Sequence, residues 1–146
     1  MRVSVEITPW ACIALAVLML TIPLPLLLSA ILAAGFHEFC HMAAIYLQRG
    51  QIYSLRIGVG GAKLHTAPLS PSQEMLCALA GPCGSLLLAG LGRWLPGIAF
   101  CGFVQGLFNL IPIYPLDGGR ICRCILEWIP LVKRKIPCKE AKVKVQ

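Results

Sequence analysis

An uncharged apolar run near the start of the chain restricts the possible folds more than any other feature of the sequence. From Ile7 to Phe36 there is no Asp, Glu, Lys, Arg or His. A membrane-spanning helix needs roughly 20 apolar residues, so the run is long enough for more than one span. Charged residues make up only 13% of the 146 residues, whereas a soluble domain has roughly 25%. The sequence therefore predicts an all-α integral membrane protein, with a single domain over residues 1–146.

Two further uncharged runs, Met75–Gly92 and Trp94–Leu116, complete the predicted membrane segments. The first run continues to about Leu47, and Pro23 and Pro25 near its middle predict a turn, because proline disfavours helix interiors. We therefore expect about four transmembrane helices, at about residues 8–22, 24–48, 72–94 and 97–116. A secretory signal peptide is the alternative for the first segment, but the apolar stretch is about twice the usual length and has no basic start.

The basic residues predict how these helices are oriented. With four spans, both termini and the loop 49–71 lie on one face, and that face carries every basic residue except Arg93. The positive-inside rule makes this face cytoplasmic, so the N- and C-termini are predicted to be cytoplasmic. The net charge of +7 is concentrated in a tail at about residues 130–146. We expect anionic lipid beside this tail and no nucleic acid, because no aromatic-rich platform accompanies the charge.

Residues 51–68 have a different pattern of apolar and polar residues from that of the predicted helices. Ile52, Leu55 and Ile57 alternate with polar residues and are followed by glycines. This pattern predicts a short β-hairpin or extended loop at the membrane face. Its edge could pair with a strand of a substrate, and an ordinary connecting loop is the alternative.

The stretch GFHEFCHM contains two histidines around a glutamate, at the spacing His37-Glu38-x-x-His41. On a helix, positions i and i+4 lie about 40° apart around the axis and roughly 6 Å along it, so both imidazoles can reach one ion. Glu38 then lies beside the ion, where it can accept a proton from water. Ionisable residues after a long uncharged run are costly without such a role. The motif therefore predicts a zinc site of the hydrolase type.

A catalytic zinc ion usually has three protein ligands, so one more must be found. Asp117 is the strongest candidate because it lies at the end of the last apolar run, where a carboxylate is costly without a cation. Both Asp117 and His41 are predicted to approach the ion from the cytoplasmic side. The other candidates are the acidic residues Glu74, Glu127 and Glu140 and the only other histidine, His65. We interpret His65, in GGAKLHTAP, as a loop or interface histidine.

The FNLIPIYPLDGGR block also predicts a break at the end of the last membrane segment. Pro112 and Pro115 interrupt the helix, and Gly118 and Gly119 let the chain turn tightly beside the ion. Asn109 is a polar side chain in an apolar run. It is predicted either to hydrogen-bond a substrate carbonyl or oxyanion, or to join two helices by a hydrogen bond.

Together, GFHEFCH and the downstream FNLIPIYPLDGGR resemble the site-2 protease family of intramembrane zinc metalloproteases, and most closely the branch that contains the stage IV sporulation protein FB. The resemblance covers most of residues 25–125, the three-helix catalytic core of that family. It implies one Zn²⁺ per chain, held by His37, His41 and Asp117, with Glu38 activating the water. It also implies that Asn109 faces the substrate.

The resemblance further implies a membrane-tethered protein as substrate, which in the sporulation branch is a pro-sigma factor. The active site would open to the cytoplasmic side of a bacterial cytoplasmic-type membrane. The chain departs from the family pattern at Cys40, where glycine is usual, and at Cys83-Gly84-Ser85, where AGP usually continues to an asparagine. It is also short for the family, which makes a regulatory membrane protein a candidate partner.

Two other functions fit parts of the sequence. A catalytically inactive membrane scaffold would bind zinc without needing Glu38. A metal transporter would need ionisable residues along a path across the membrane, whereas the outer half of every predicted span is without charge. The sequence therefore favours an intramembrane zinc metalloprotease.

Overall fold

The computed structural model describes residues 4–58, 61–114 and 116–128 of the chain. The described strands are β1 (Ser4–Ile7), β2 (Ile52–Gly58) and β3 (Gly61–Thr66). The described helices are α1 (Pro9–Thr21), α2 (Leu24–Leu47), α3 (Pro71–Ala89), α4 (Pro96–Asn109) and α5 (Asp117–Trp128). Pro115 and the basic tail at about residues 130–146 lie outside the described residues.

Proline residues mark where the first four helices begin. Pro9, Pro71 and Pro96 are the first residues of α1, α3 and α4, and Pro25 is the second residue of α2. Proline suits the first helical turn, because the N–H that it lacks would have no partner inside the helix there. The two prolines of TIPLP therefore separate α1 from α2, as the sequence predicts.

Each of the four predicted membrane segments contains a helix, but the third helix ends at Ala89 rather than at about 94, and the fourth at Asn109 rather than at about 116. Among the described helices, α2 alone is long and apolar enough to cross a membrane. Its 24 residues extend roughly 36 Å. The apolar part of α1 is shorter, Cys12–Thr21, and the 14 residues of α4 extend only about 21 Å. Four spanning helices therefore stay a prediction. Large apolar side chains such as Leu20 and Leu87 are 88% and 76% exposed, which leaves an apolar outer surface suited to lipid.

The core of the fold is formed by α2, α3 and α4, each of which packs against the other two. Small residues lie at these contacts, including the buried Ala33, Ala78 and Ala99. Gly102 of α4 lies so close to α3 that an added Cβ would be 2.9 Å from the Ser85 carbonyl oxygen. Small residues let membrane helices approach closely. Helix α5 packs against α3, whereas α1 makes few contacts with α2 and β2.

The strands form one sheet in the order β1-β2-β3. The antiparallel pair β2 and β3 confirms the hairpin predicted within residues 51–68. Strand β1, which the sequence pattern does not predict, pairs with β2 in parallel, from Ser4 opposite Ser54 to Ile7 opposite Ile57. The expectation of an all-α protein with only a hairpin was therefore incomplete, and it also lacked helix α5.

Candidate metal centre

The two histidines of the HExxH motif lie on the buried side of α2. His37 and His41 are separated by one helical turn, and both are buried. Their Nε2 atoms lie 3.1 Å apart. The i, i+4 spacing therefore brings the two imidazoles to one point, as the sequence predicts.

Asp117, the first residue of α5, reaches the same point from a distant part of the chain. Its Oδ2 atom lies 3.1 Å from Nε2 of His37 and 3.1 Å from Nε2 of His41. Among the described residues, these three form the one group of three or more His, Cys, Asp or Glu side chains that could hold a metal ion. His65 is exposed on β3, and neither it nor Glu74 or Glu127 belongs to this group. Glu140 lies outside the described residues.

The distances between these three atoms fit a zinc ion. Zinc binds nitrogen and oxygen ligands at about 2.0–2.1 Å, usually in a tetrahedron, whose ligand atoms are then about 3.3–3.4 Å apart. The three observed separations of 3.1 Å are close to that edge length. Two imidazoles and one carboxylate are also a donor set that zinc prefers. The site therefore fits the metal that the sequence predicts.

The hydrogen bond at Nδ1 of His41 determines the tautomer of its ring, and therefore whether Nε2 faces the site with a proton or with a lone pair. The His41 Nδ1–H donates to the backbone carbonyl of Cys77 at 2.7 Å, and a carbonyl oxygen can only accept. In a neutral His41, Nε2 therefore carries a lone pair, and this lone pair points at Nε2 of His37 and at Oδ2 of Asp117. Electron-rich atoms that converge in a buried place need a cation between them.

His37 has a side-chain partner on the same neighbouring helix. Its Nδ1 lies 2.8 Å from Oγ of Ser85, which is buried on α3. When His37 binds a metal through Nε2, its Nδ1–H donates to the Ser85 hydroxyl, and such partners fix the tautomer and orientation of a ligating histidine. Ser85 belongs to the stretch in which the chain departs from the AGP-to-asparagine pattern, and a hydroxyl group supplies the polar contact there.

Neither Ser85 nor the Cys77 carbonyl was predicted from the sequence. A signal for them exists in the spacing of Cys77, Gly81 and Ser85, which are four residues apart and therefore lie along one face of α3. The two histidines have the same spacing on α2. The sequence shows this periodicity, but it does not show which helix packs against α3 or in which register the two helices meet.

Gly81 lies between the Cys77 carbonyl and Ser85, directly beneath the two imidazoles. A Cβ atom at this position would lie 2.2 Å from Nε2 of His41 and 2.8 Å from Nε2 of His37. A second close approach occurs at Gly118, where a Cβ would lie 2.2 Å from the carbonyl oxygen of Leu110. The predicted tight turn at Gly118 and Gly119 is wrong, because both residues lie in the first turn of α5, and Gly118 is instead needed for its close approach to Leu110.

The two departures from the family pattern lie against each other. The Cys40 Sγ atom would be 2.2 Å from a Cβ atom at Gly84, so the thiol fills the space that a side chain at position 84 would need. Cys40 is half-buried between α2 and α3. Relative to the family pattern, the chain therefore has a side chain at position 40 of α2 and has none at position 84 of α3, which lies opposite.

The remaining predicted residues, Glu38 and Asn109, do not belong to the group of three candidate ligands. Glu38 lies on α2 between the two histidines and is half-buried. The Asn109 Nδ2–H donates to the carbonyl of Gln105 in its own helix at 3.1 Å. This bond is neither the predicted link between helices nor a contact with a substrate, so the roles of Glu38 and Asn109 stay predictions.

The charge of Asp117 is supported by its neighbours. Burial raises the pKa of the Asp117 carboxyl group, but hydrogen bonds and positive charge from protonated His37 and His41 lower it by more. A metal ion held by neutral imidazoles would favour the ionised carboxylate in the same way. The net pKa lies well below the usual value of an aspartate. Asp117 therefore presents an ionised carboxylate to the site, as a metal ligand requires.

Three comparisons with known proteins found similar sequences or structures. The family model for peptidase family M50 matches residues 84–145, which include the FNLIPIYPLDGGR block but not the HExxH motif. A protein of Synechocystis sp. named "Putative zinc metalloprotease sll0528" is 33% identical over 107 residues. That match covers 62% of this chain and 28% of the relative, so the chain spans less than a third of the relative's length.

Among solved structures, the chain is similar to the site-2 protease from Methanocaldococcus jannaschii, with a TM-score of 0.68 and 22% sequence identity. The similarity covers 84% of this chain and 67% of that protein. At this level of identity, the match concerns the fold, which is the fold predicted from the two motifs.

Proposed function

We propose that this chain belongs to the site-2 protease family, peptidase family M50, and that it is an intramembrane zinc metalloprotease. It would hydrolyse a peptide bond of a membrane-embedded or membrane-associated protein. The observation that carries this proposal is the convergence of His37 Nε2, His41 Nε2 and Asp117 Oδ2, each 3.1 Å from the other two, in a buried place. These three atoms would hold one Zn²⁺ per chain.

A bound zinc ion would polarise the scissile carbonyl group and make a water molecule more acidic. Glu38 would take a proton from the attacking water and pass it to the leaving amine as the peptide bond breaks. Asn109 would donate a hydrogen bond to the substrate backbone, for which its amide has to leave the Gln105 carbonyl. Ser85 and the Cys77 carbonyl would hold the two imidazoles in place throughout.

The site lies nearer to one end of α2 than to the other. His41 is six residues, or about 9 Å, from Leu47, the last residue of the helix. The chain continues from this end into β2 and β3, on the side predicted to be cytoplasmic. This short depth supports a site open to water from the cytoplasm. It also supports a multi-pass topology with cytoplasmic termini, which the basic residues favour.

The proposed partners follow from the same topology. The substrate would be a membrane-tethered protein that unwinds locally to expose a peptide bond, and a pro-sigma factor in sporulation is the substrate that the resemblance suggests. Anionic lipid would bind beside the basic tail at about residues 130–146. A regulatory membrane protein would control access of the substrate to the site.

The test of this function separates metal binding from catalysis. Wild type, Asp117→Ala and Glu38→Gln would be purified in detergent, analysed for zinc, and assayed on a panel of single-span reporter proteins in liposomes. We expect one zinc per chain in the wild type and in Glu38→Gln, much less in Asp117→Ala, and cleavage by the wild type alone. Cleavage retained by Glu38→Gln would contradict the mechanism. Zinc binding with no reporter cleaved would favour the inactive scaffold.

A further inference from the structure

Helix α3 supplies none of the three candidate ligands, yet it holds both histidines through the Cys77 carbonyl and Ser85. It is also connected to the third ligand by an arginine. We propose that Arg120 is a positioning residue which, held by Glu74 of α3, fixes the orientation in which Asp117 binds the metal. This inference rests on the metal site of the proposed function and adds a specific role within it.

The two oxygen atoms of Asp117 have different partners. Oδ2 faces the two histidines at 3.1 Å, whereas Oδ1 accepts a hydrogen bond from Nη1 of Arg120 at 3.4 Å. Because the guanidinium group holds Oδ1, the carboxylate presents a single oxygen to the site. A catalytic zinc site needs a coordination position left open for water, and a carboxylate that bound through both oxygens would occupy it.

Arg120 also forms an ion pair on its other side, at a distance longer than a hydrogen bond. Its Nε atom lies 3.8 Å from Oε1 of Glu74, in the first turn of α3. Arg120 thus lies between two carboxylates, one on α3 and one at the start of α5. The planar guanidinium group can donate from several N–H groups at once, which a lysine ammonium cannot do in the same fixed geometry.

Arg123, one turn further along α5, provides an internal comparison. Its Nη2 atom lies 2.5 Å from the same Glu74 oxygen, and its Nε atom lies 3.8 Å from Oε1 of Glu127. These are contacts with carboxylates other than Asp117. The Arg123 side chain is 54% exposed, against 31% for Arg120. Arg123 therefore helps to join α5 to α3 as an exposed ion pair, while Arg120 also orients a candidate ligand.

The two arginines make a matched pair of variants. Arg120→Gln and Arg123→Gln each remove one positive charge from the same helix, and both would be compared with the full-length wild type in detergent. Zinc affinity would be measured by competition with a chelator, and the visible spectrum of the Co²⁺-loaded protein would report the coordination of the metal. Thermal unfolding of the metal-free proteins would check the fold.

We expect Arg120→Gln to weaken zinc binding about 10- to 100-fold and to change the Co²⁺ spectrum, since changes to groups that orient a metal ligand have effects of that size. Arg123→Gln should leave both close to wild type. Glu74→Gln should weaken zinc binding less than Arg120→Gln, and should add no further loss when combined with it, because Glu74 acts through Arg120. Arg120→Lys should fall between the wild type and Arg120→Gln.

Three results would overturn the role of Arg120. The first is wild-type zinc affinity and an unchanged Co²⁺ spectrum in Arg120→Gln. The second is an equal loss in Arg123→Gln, which would indicate general packing of α5. If Arg120→Gln does not fold, the third is a folded Arg120→Lys with wild-type zinc affinity. A folded wild type that binds neither zinc nor cobalt would instead overturn the metal site, and with it the proposed function.

Discussion

Replacing Gly81 with alanine is expected to abolish metal binding, although the change leaves every candidate ligand in place. The new Cβ atom would lie 2.2 Å from Nε2 of His41 and 2.8 Å from Nε2 of His37. Non-bonded heavy atoms pack at about 3.5–4.0 Å, so the His41 ring or the α3 backbone would have to move by more than about 1 Å. A binding constellation tolerates displacements of only about 0.5 Å.

The structure offers no easy way to absorb this displacement. The His41 ring is held by its 2.7 Å hydrogen bond to the Cys77 carbonyl, one turn before Gly81 on the same helix. A movement of α3 away from α2 would also pull Ser85 from His37. A misplacement of about 1 Å can cost 100-fold in rate, so we expect cleavage to fall by at least that factor. The stability of α3 itself should not suffer from its helix propensity, because alanine favours a helix over glycine by about 1 kcal/mol.

The assay is zinc content and chelator competition on the detergent-purified variant, with thermal unfolding as the test of folding. Gly35→Ala is the matched control, because Gly35 also lies inside a helix, two residues before His37, and an added Cβ there would meet nothing within 4 Å. We expect Gly35→Ala to bind zinc like the wild type. A folded Gly81→Ala protein with wild-type zinc affinity would refute the geometry on which the site is built.

Three further predictions concern the surroundings of the site. Ser85→Ala removes the partner of His37 Nδ1 and should weaken zinc binding about 10- to 100-fold in the chelator competition, and unchanged affinity would contradict this role. Gly84→Ala should lower the melting temperature, because its Cβ would lie 2.2 Å from Cys40 Sγ, and Cys40→Gly in the same chain should restore it. A double variant that melts no higher than Gly84→Ala would show that the contact is not the cause. Removing zinc should lower the free energy of unfolding, by about 2.7 kcal/mol when free zinc is 100-fold above its dissociation constant. Glu38→Gln keeps the candidate ligands, so zinc removal by a chelator should lower its free energy of unfolding by the same amount. A Glu38→Gln protein that the chelator does not destabilise would show that Glu38 takes part in metal binding.

The candidate ligands could be predicted because burying charge is costly. His37 and His41 follow a run of apolar residues without an ionisable group, and Asp117 comes at the end of another. Such groups need a partner of opposite charge or a metal. The cost of a buried charge therefore predicted a contact between residues 76 and 80 positions apart along the chain, and the structure places their atoms 3.1 Å apart.

The rest of the fold was harder to predict because it depends on contacts between distant segments. Strand β1 has only four residues, and its pairing is with β2, more than 40 residues later. Helix α5 begins with Asp117 followed by two glycines, which have low helix propensity, although Ile121, Cys124 and Trp128 recur at helical spacing. The Cys77 partner of His41 is a backbone carbonyl, which every residue possesses, and no side chain marks it.

The structure explains why this site needs glycine on α3 as much as it needs histidine on α2. The imidazoles of His37 and His41 lie against a stripe formed by Cys77, Gly81 and Ser85, and they can do so only because the middle residue has no side chain. The same contact between helices then supplies a carbonyl on one side of Gly81 and a hydroxyl on the other, each bonded to one histidine. The orientation of the two imidazoles therefore results from how closely two helices approach, so a substitution that separates α2 from α3 is expected to weaken metal binding even when it lies away from every ligand.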